Sequence, residues 1–343
     1  MKKFSIPFTG TDSNEYLASI EQYSSYIEHI YTGVSFICNN HHSVRQELGI
    51  TDPNVGKVYD IEIYEENVRQ FLKKSLGKYK RIITLNSGYY NFDEFELNKW
   101  LYEVLFPYIE SANIDGCICT DFAMAKFIHC TFPNVEIHTS CNCFQWTIRQ
   151  MELWREECGV TLFNPPREIL RTPYKLKEMK EAGFKIKAIV NESCLYGCPQ
   201  TINHCMAIVN GKNIFGQCNR GDLTNFFKGN WVLPRWLNIL DEYVDVYKLS
   251  GRMCPLEYLL TALDAYIYRK EVDDLPTILT GGNAIDMFVT GIKVPTNMIH
   301  DKLLTCECKE CNKTCFMCND LMTKLLIQNN IPLINNGLGF NGI

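Results

Sequence analysis

Cys194, Cys198, Cys205 and Cys218 fall within 25 residues, in the run Asn191-Glu-Ser-Cys-Leu-Tyr-Gly-Cys-Pro-Gln-Thr-Ile-Asn-His-Cys205 and on through Gln217-Cys218-Asn219. Four thiolates are the usual donor set of a 4Fe-4S cluster, and Cys followed by Pro recurs where such clusters bind. The same four donors would hold tetrahedral zinc. Structural zinc sites use paired Cys-x₂-Cys knuckles, whereas Cys-x₃-Cys-x₆-Cys-x₁₂-Cys is irregular and suits a cluster wrapped by a loop. His204 can replace one thiolate in either case. Four unconnected buried thiols are the competing explanation, but a loop rich in Gly, Asn and Pro offers little core to bury them.

A second group closes the chain: Cys306-Glu-Cys308-Lys-Glu-Cys311-Asn-Lys-Thr-Cys315-Phe-Met-Cys318. Cys308, Cys311, Cys315 and Cys318 are spaced for zinc or for a cluster equally well, and so many thiols in a polar segment point to a second metal site. This group can also lend a ligand to the first. The remaining cysteines, Cys38, Cys117, Cys119, Cys130, Cys141, Cys143, Cys158 and Cys254, lie in apolar or strand-like stretches, where a thiol usually serves as a small buried hydrophobe. Seventeen is an odd number. Disulfides are not expected, because nothing marks the chain for an oxidising compartment.

The elements that must position these groups are legible as alternation. Apolar, β-branched runs start at Phe4, Ile27, Arg81, Gly116, Val135, Val160, Lys185 and Val244, and helical segments lie between them. Leu256, Leu259, Leu260, Leu263 and Tyr266 repeat at three and four, as one face of a helix does, and Trp146, Met151 and Trp154 mark another apolar stripe. Asn113-Ile-Asp-Gly, Glu157-Cys-Gly-Val and Glu181-Ala-Gly-Phe each place a glycine where a helix turns back into a strand, the position of a left-handed cap. Eight βα units within about 270 residues predict an α/β fold, a (β/α)₈ TIM-type barrel. A doubly wound open sheet is the alternative.

The barrel is expected over 1–272, with a Cys-rich insertion at 192–243 after strand seven. A C-terminal appendage follows over 273–343 and carries the Cys-rich segment 306–318. Active sites of such barrels lie where strands end, so the insertion brings its thiols to the mouth. Residues just after other strands face the same cavity. Arg167, Lys248 and Arg252 can clamp an anion by charge-assisted hydrogen bonds, and Glu168 or His138 can move protons. For each of them a salt bridge or hydrogen bond holding the rim is the plainer role.

Hydrophobic residues make up 46% and charged residues 21% of the chain, with a net charge of -5, the balance of a soluble globular protein. Two lysines at the N-terminus are followed by no signal-like apolar run, and no stretch approaches the roughly 18 apolar residues of a membrane span. A cytoplasmic protein is expected. The mild negative charge neither calls for nucleic acid nor excludes it, since a local basic groove suffices for phosphates.

The runs Asp115-Gly-Cys-Ile-Cys-Thr-Asp121, Val135-Glu-Ile-His-Thr-Ser140, Pro165-Pro-Arg-Glu168, Cys194-Leu-Tyr-Gly-Cys-Pro199 with His204, Trp231-Val-Leu-Pro-Arg-Trp236 and Val246-Tyr-Lys-Leu-Ser-Gly-Arg252 resemble, in order and spacing, the collagenase-like peptidase U-32 family. The resemblance covers roughly residues 80 to 255. It implies a barrel with four cysteines on a 4Fe-4S cluster, and one of two activities: a peptidase of undefined catalytic type, or an oxygen-independent hydroxylase acting on RNA or a small metabolite. The cysteine spacing and Cys-rich tail depart from the better-studied branches.

No His-Glu-x-x-His or Gly-x-Ser-x-Gly motif supports hydrolysis. Cys141 and Cys143 beside His138 offer only a weak Cys-His pair. A redox enzyme, a hydroxylase of an RNA base or small metabolite, is therefore the first expectation. Peptide hydrolysis comes second, and a non-catalytic protein carrying a cluster for a partner subunit third. The substrates expected are an anionic small molecule, RNA or a peptide.

Overall fold

The computed structural model describes residues 2–33, 61–86, 98–204, 222–252, 254–306 and 314–331. Eight parallel strands form one sheet in the order β6-β5-β4-β3-β2-β1-β8-β7. They are β1 (Lys3–Pro7), β2 (Ile27–Gly33), β3 (Lys80–Leu85), β4 (Gly116–Cys119), β5 (Glu136–Thr139), β6 (Val160–Leu162), β7 (Lys187–Ile189) and β8 (Val246–Lys248). A parallel bridge from Phe163 to Ile186 joins the two ends of the sheet. Phe163 N donates to Lys185 O at 2.9 Å, and Lys187 N donates to Phe163 O at 2.7 Å. The fold is thus a (β/α)₈ TIM-type barrel, and the open sheet is excluded.

Helices lie outside the ring: α1 (Ser13–Ile20), α2 (Ile61–Lys74), α3 (Phe106–Ser111), α4 (Phe122–Thr131), α5 (Ile148–Cys158), α6 (Pro173–Glu181), the short α7 (Leu237–Leu240) and α8 (Leu256–Ile267). Because strand side chains alternate, one set packs beneath these helices and the other fills the ring. The Phe8 ring, just past β1, stacks on Phe71 of α2 with centroids 4.5 Å apart and meets Tyr16 of α1 edge-on at 5.0 Å. Tyr31, Ile82 and Ile118 form a separate apolar cluster inside the ring.

Two of the three glycines read as helix caps behave so. Gly159 caps α5 with φ of 60°, and a Cβ there would meet the His129 ring at 2.3 Å. Gly183, after α6, is also left-handed. At the third turn Asn113 takes the left-handed conformation, with φ of 48°. Gly116 instead begins β4, where a Cβ would lie 2.7 Å from Glu136 O and 2.8 Å from Ile82 Cδ1. That glycine is required by close strand packing rather than by a cap.

Beyond the barrel, α9 (Gly282–Val289) and α10 (Met317–Gln328) both pack on the 3₁₀ turn Leu223–Lys228. No helix among the described residues is long and apolar enough to cross a membrane.

Candidate functional site

Inside the ring, β2, β5, β7 and β8 contribute His29, His138, Lys187 and Lys248, each at least nine-tenths buried. Charged and ionisable groups in a barrel interior are expensive unless partnered, so their presence marks the interior as more than packing. His138 Nε2 lies 3.2 Å from Glu136 Oε2, and its Nδ1 lies 3.3 Å from Lys187 Nζ. A carboxylate only accepts, so Nε2 carries the proton and Nδ1 accepts from the lysine. Glu136 in turn accepts from Lys80 at 2.6 Å where β3 and β5 begin, at the opposite end of the barrel from the insertion.

Burial drives His29 and His138 well below the ordinary imidazole range, and the Lys187 charge pushes both the same way. Lys187 is held well below the usual lysine value by burial, then by the Lys248 charge. Both ring nitrogens of His29 are buried without a hydrogen-bond partner among the described residues, as is Ser5 Oγ. Polar atoms of Thr9, Asn86, Thr120 and Asn164, just past β1, β3, β4 and β6, are likewise buried and unpartnered. Unsatisfied polar atoms ringing one end of a barrel fit a polar guest.

At that end, Lys248 Nζ stands 4.3 Å from the centre of the Tyr31 ring and the Arg252 guanidinium 5.9 Å from it. Tyr31 is fixed by its hydroxyl, which donates to Leu249 O at 2.7 Å, and Arg252 Nη1 donates to Thr84 Oγ1 at 2.8 Å. Burial lowers Lys248 to about 8. Arg167 Nε donates to Glu192 Oε2 at 2.7 Å, and Cys194 Sγ donates to the other oxygen, Oε1, at 3.5 Å. Glu168 is raised by burial, and His204 is lowered by burial and then by Arg167. Arg167, Glu192, Cys194 and His204 are therefore one neighbourhood.

The cysteine loop is pinned through its backbone. Ser193 N donates to Thr280 O at 2.7 Å, Asn230 N to Cys194 O at 2.7 Å, and Tyr196 N to Lys228 O at 2.8 Å. Ser193 Oγ accepts from Ala284 N at 2.9 Å. Cys194 and Cys198 are both half-buried, while Cys205 and Cys218 lie outside the described residues. Within the described set, no three His, Cys, Asp or Glu side chains converge as metal ligands.

Of the thiols read as scattered hydrophobes, Cys117, Cys119, Cys141 and Cys158 are buried, but Cys130 is exposed and Cys143 and Cys254 are half-buried; Cys38 lies outside the described residues. A side chain at Gly251 would meet Cys254 Sγ at 3.5 Å and Thr280 Cγ2 at 3.6 Å. Thr280 bridges to Glu192, so Cys254 belongs to the surroundings of the cysteine loop. In the tail Cys318 is buried on α10, and Cys315 borders a cavity of about 490 Å³ with His300, Lys302, Asp320 and Lys324. Cys308 and Cys311 lie outside the described residues.

The sequence reading placed Arg167, Glu168, Lys248 and Arg252 at the mouth and named His138, which lies within β5 and faces the barrel interior. It did not single out His29, Lys187 or Tyr31. The available signal was polarity in apolar runs, as in Lys185-Ile-Lys-Ala-Ile-Val190, where a lysine alternates with core residues.

Residues 62–196 match the model of peptidase family U32. An uncharacterized protease of Methanocaldococcus jannaschii is 26% identical over 200 residues, which are 54% of this chain and 58% of that protein. The chain thus spans a little over half the length of this curated relative. Among solved structures, the U32 peptidase Mk0906 superposes with a TM-score of 0.50 at 10% identity, covering 74% of this chain and 95% of that one, a likeness of fold alone.

Proposed function

We propose, from the match of residues 62–196 to the model of peptidase family U32, that the barrel mouth is the active site of an iron-sulfur enzyme carrying out oxygen-independent hydroxylation or a related redox modification of an anionic substrate, an RNA base or small metabolite. The observation that carries this reading is Glu192: one oxygen holds Arg167 at 2.7 Å and the other accepts from the Cys194 thiol at 3.5 Å. The cationic mouth and the cysteine loop therefore work on the same bound molecule.

Cys194 and Cys198 fit a cluster in donor chemistry and in attachment, being soft donors on a loop whose backbone is tied down on both sides. With Cys205 and Cys218 they would hold a 4Fe-4S group, which supplies single electrons to chemistry at the mouth; zinc is the alternative occupant. Arg252 binds the anionic part of the substrate beside Tyr31, with the Lys248 amine on the same ring. Arg167, already paired with Glu192, adds positive field without taking the substrate's charge for itself. Glu168, raised by burial, is the carboxyl best placed here to exchange a proton with the substrate.

The relative's name favours peptide hydrolysis as a second reading. The described residues offer it little, because the Cys143 thiol donates to Cys119 O at 3.3 Å and burial pushes its pKa up, the reverse of an activated nucleophile. Anaerobic purification tests the proposal. Visible absorbance bleached by dithionite, with iron and sulfide lost in Cys194→Ser and Cys198→Ser, is the expected result. A colourless zinc protein overturns the redox reading, and peptide cleavage that persists after metal removal replaces it with hydrolysis. Comparing modified nucleosides and metabolites in cells with and without the protein then identifies the substrate.

A further inference from the structure

Lys248 is the last residue of β8, 7% exposed, and the Tyr31 ring is the neighbour its Nζ meets. Among the described residues no hydrogen-bond acceptor holds that nitrogen, whereas exposed lysines such as Lys126 and Lys270 are tied to carboxylates at 2.6 Å. Burial outweighs Cys141 and the Glu192 carboxylate, which favour its charged form, and the like charges of Arg252 and Arg167 add to burial. A lysine kept out of water, without an acceptor and beside a second cation, is poorly arranged as a salt-bridge partner and well arranged as a neutral amine.

Resting on the reading of the mouth as an active site, we infer that Lys248 is a nucleophile that forms an imine with a substrate carbonyl, and that Arg252 binds a carboxylate of the same molecule, so that the ligand class is a 2-oxo acid. Its Nζ attacks the carbonyl carbon. The C–N bond forms as the C=O π pair moves to oxygen, which takes a proton. The carbinolamine then breaks its C–O bond and releases water, and the nitrogen lone pair completes C=N. One proton enters from solvent per positively charged imine formed, and no oxidant or reductant takes part. Tyr31 provides the flat apolar wall that keeps the imine from bulk water, and its own hydroxyl is committed to Leu249 O.

Trapping with glyoxylate and cyanoborohydride on the full chain, followed by peptide mapping, tests this. Lys248 should acquire the reduced adduct well ahead of the exposed Lys126 and Lys177, each at least half exposed. The adduct at that position should vanish in Lys248→Arg. Arg252→Gln, which leaves the amine in place, should bring Lys248 down to the rate of the surface lysines and abolish the advantage of glyoxylate over an uncharged aldehyde. The unreactive dicarboxylate malonate separates this inference from the reading beneath it. If malonate raises the Tm and Arg252→Gln removes that rise, yet Lys248 labels no faster than Lys126, the imine is overturned and the anion site stands. If malonate neither stabilises the protein nor protects Lys248, both fall.

Discussion

Lys187 Nζ stands 3.3 Å from His138 Nδ1 in the barrel interior, and beside them His29 has its ring centre 5.1 Å from that of His138. Burial and the lysine charge hold both imidazoles neutral in the native state, below their ordinary value of 6.5. In the unfolded chain they titrate at that value, so below it the unfolded state takes up protons that the native state refuses. Stability should fall as the pH drops through 6.5, by up to about 1.4 kcal/mol per pH unit for each histidine. His29→Leu removes one of these protons and sacrifices no hydrogen bond, because neither ring nitrogen has a partner among the described residues. Urea denaturation across this range should show a shallower acid slope in the variant. An unchanged slope would mean that His29 is charged in the folded protein.

Arg171 is 2% exposed and donates to the carbonyls of Leu303 at 3.1 Å, Cys306 at 3.2 Å and Phe227 at 3.0 Å, and also to that of Gly229. One guanidinium thus ties the turn after β6 to the turn at 223–228 and to the segment before the Cys-rich tail. Arg171→Met strands these acceptors and should destabilise by on the order of 3 kcal/mol. Arg171→Lys should restore little, since an ammonium cannot span carbonyls on opposite sides. Denaturant midpoints report the loss, and limited proteolysis near residue 306 should show the tail released.

The barrel was readable because each strand is a short β-branched run and each return is marked by a turn residue, as at Cys158-Gly159 and Ala182-Gly183. The mouth was readable wherever a charged residue follows a strand, as Arg167 and Arg252 do. What sequence alone did not deliver was facing. Whether Lys187 looks inward depends on the register of β7 against β8, where Lys187 sits opposite Val246 and Ile189 opposite Lys248. The convergence of Lys248 and Arg252 on Tyr31 joins β8 to β2, two elements over 200 residues apart, and no local pattern encodes it.

Cys143 provides a direct check on thiol catalysis. Its Sγ donates to Cys119 O at 3.3 Å, and burial raises its pKa, so little thiolate exists at neutral pH. Maleimide should modify the exposed Cys130 long before Cys143, as mapped by mass spectrometry. A Cys143 that reacts as fast as Cys130 would restore the case for a cysteine peptidase.

Glu192 balances the mouth, and its neutralisation should move binding and reactivity in predictable directions. The Arg167–Glu192 pair is mostly buried, at 12% and 17% side-chain exposure. Glu192→Gln keeps the shape and one acceptor but leaves the guanidinium without its countercharge, so stability should fall by about 2 kcal/mol. Arg167 then offers its full charge to an incoming anion, and malonate should bind more tightly than to the unaltered chain. Glu192 also favours the charged form of Lys248, so its removal should lower that amine further from about 8. The pH dependence of Lys248 labelling should accordingly shift toward lower pH. An unchanged profile would place Glu192 too far from Lys248 to act on it, and would separate the cysteine loop from the cationic mouth.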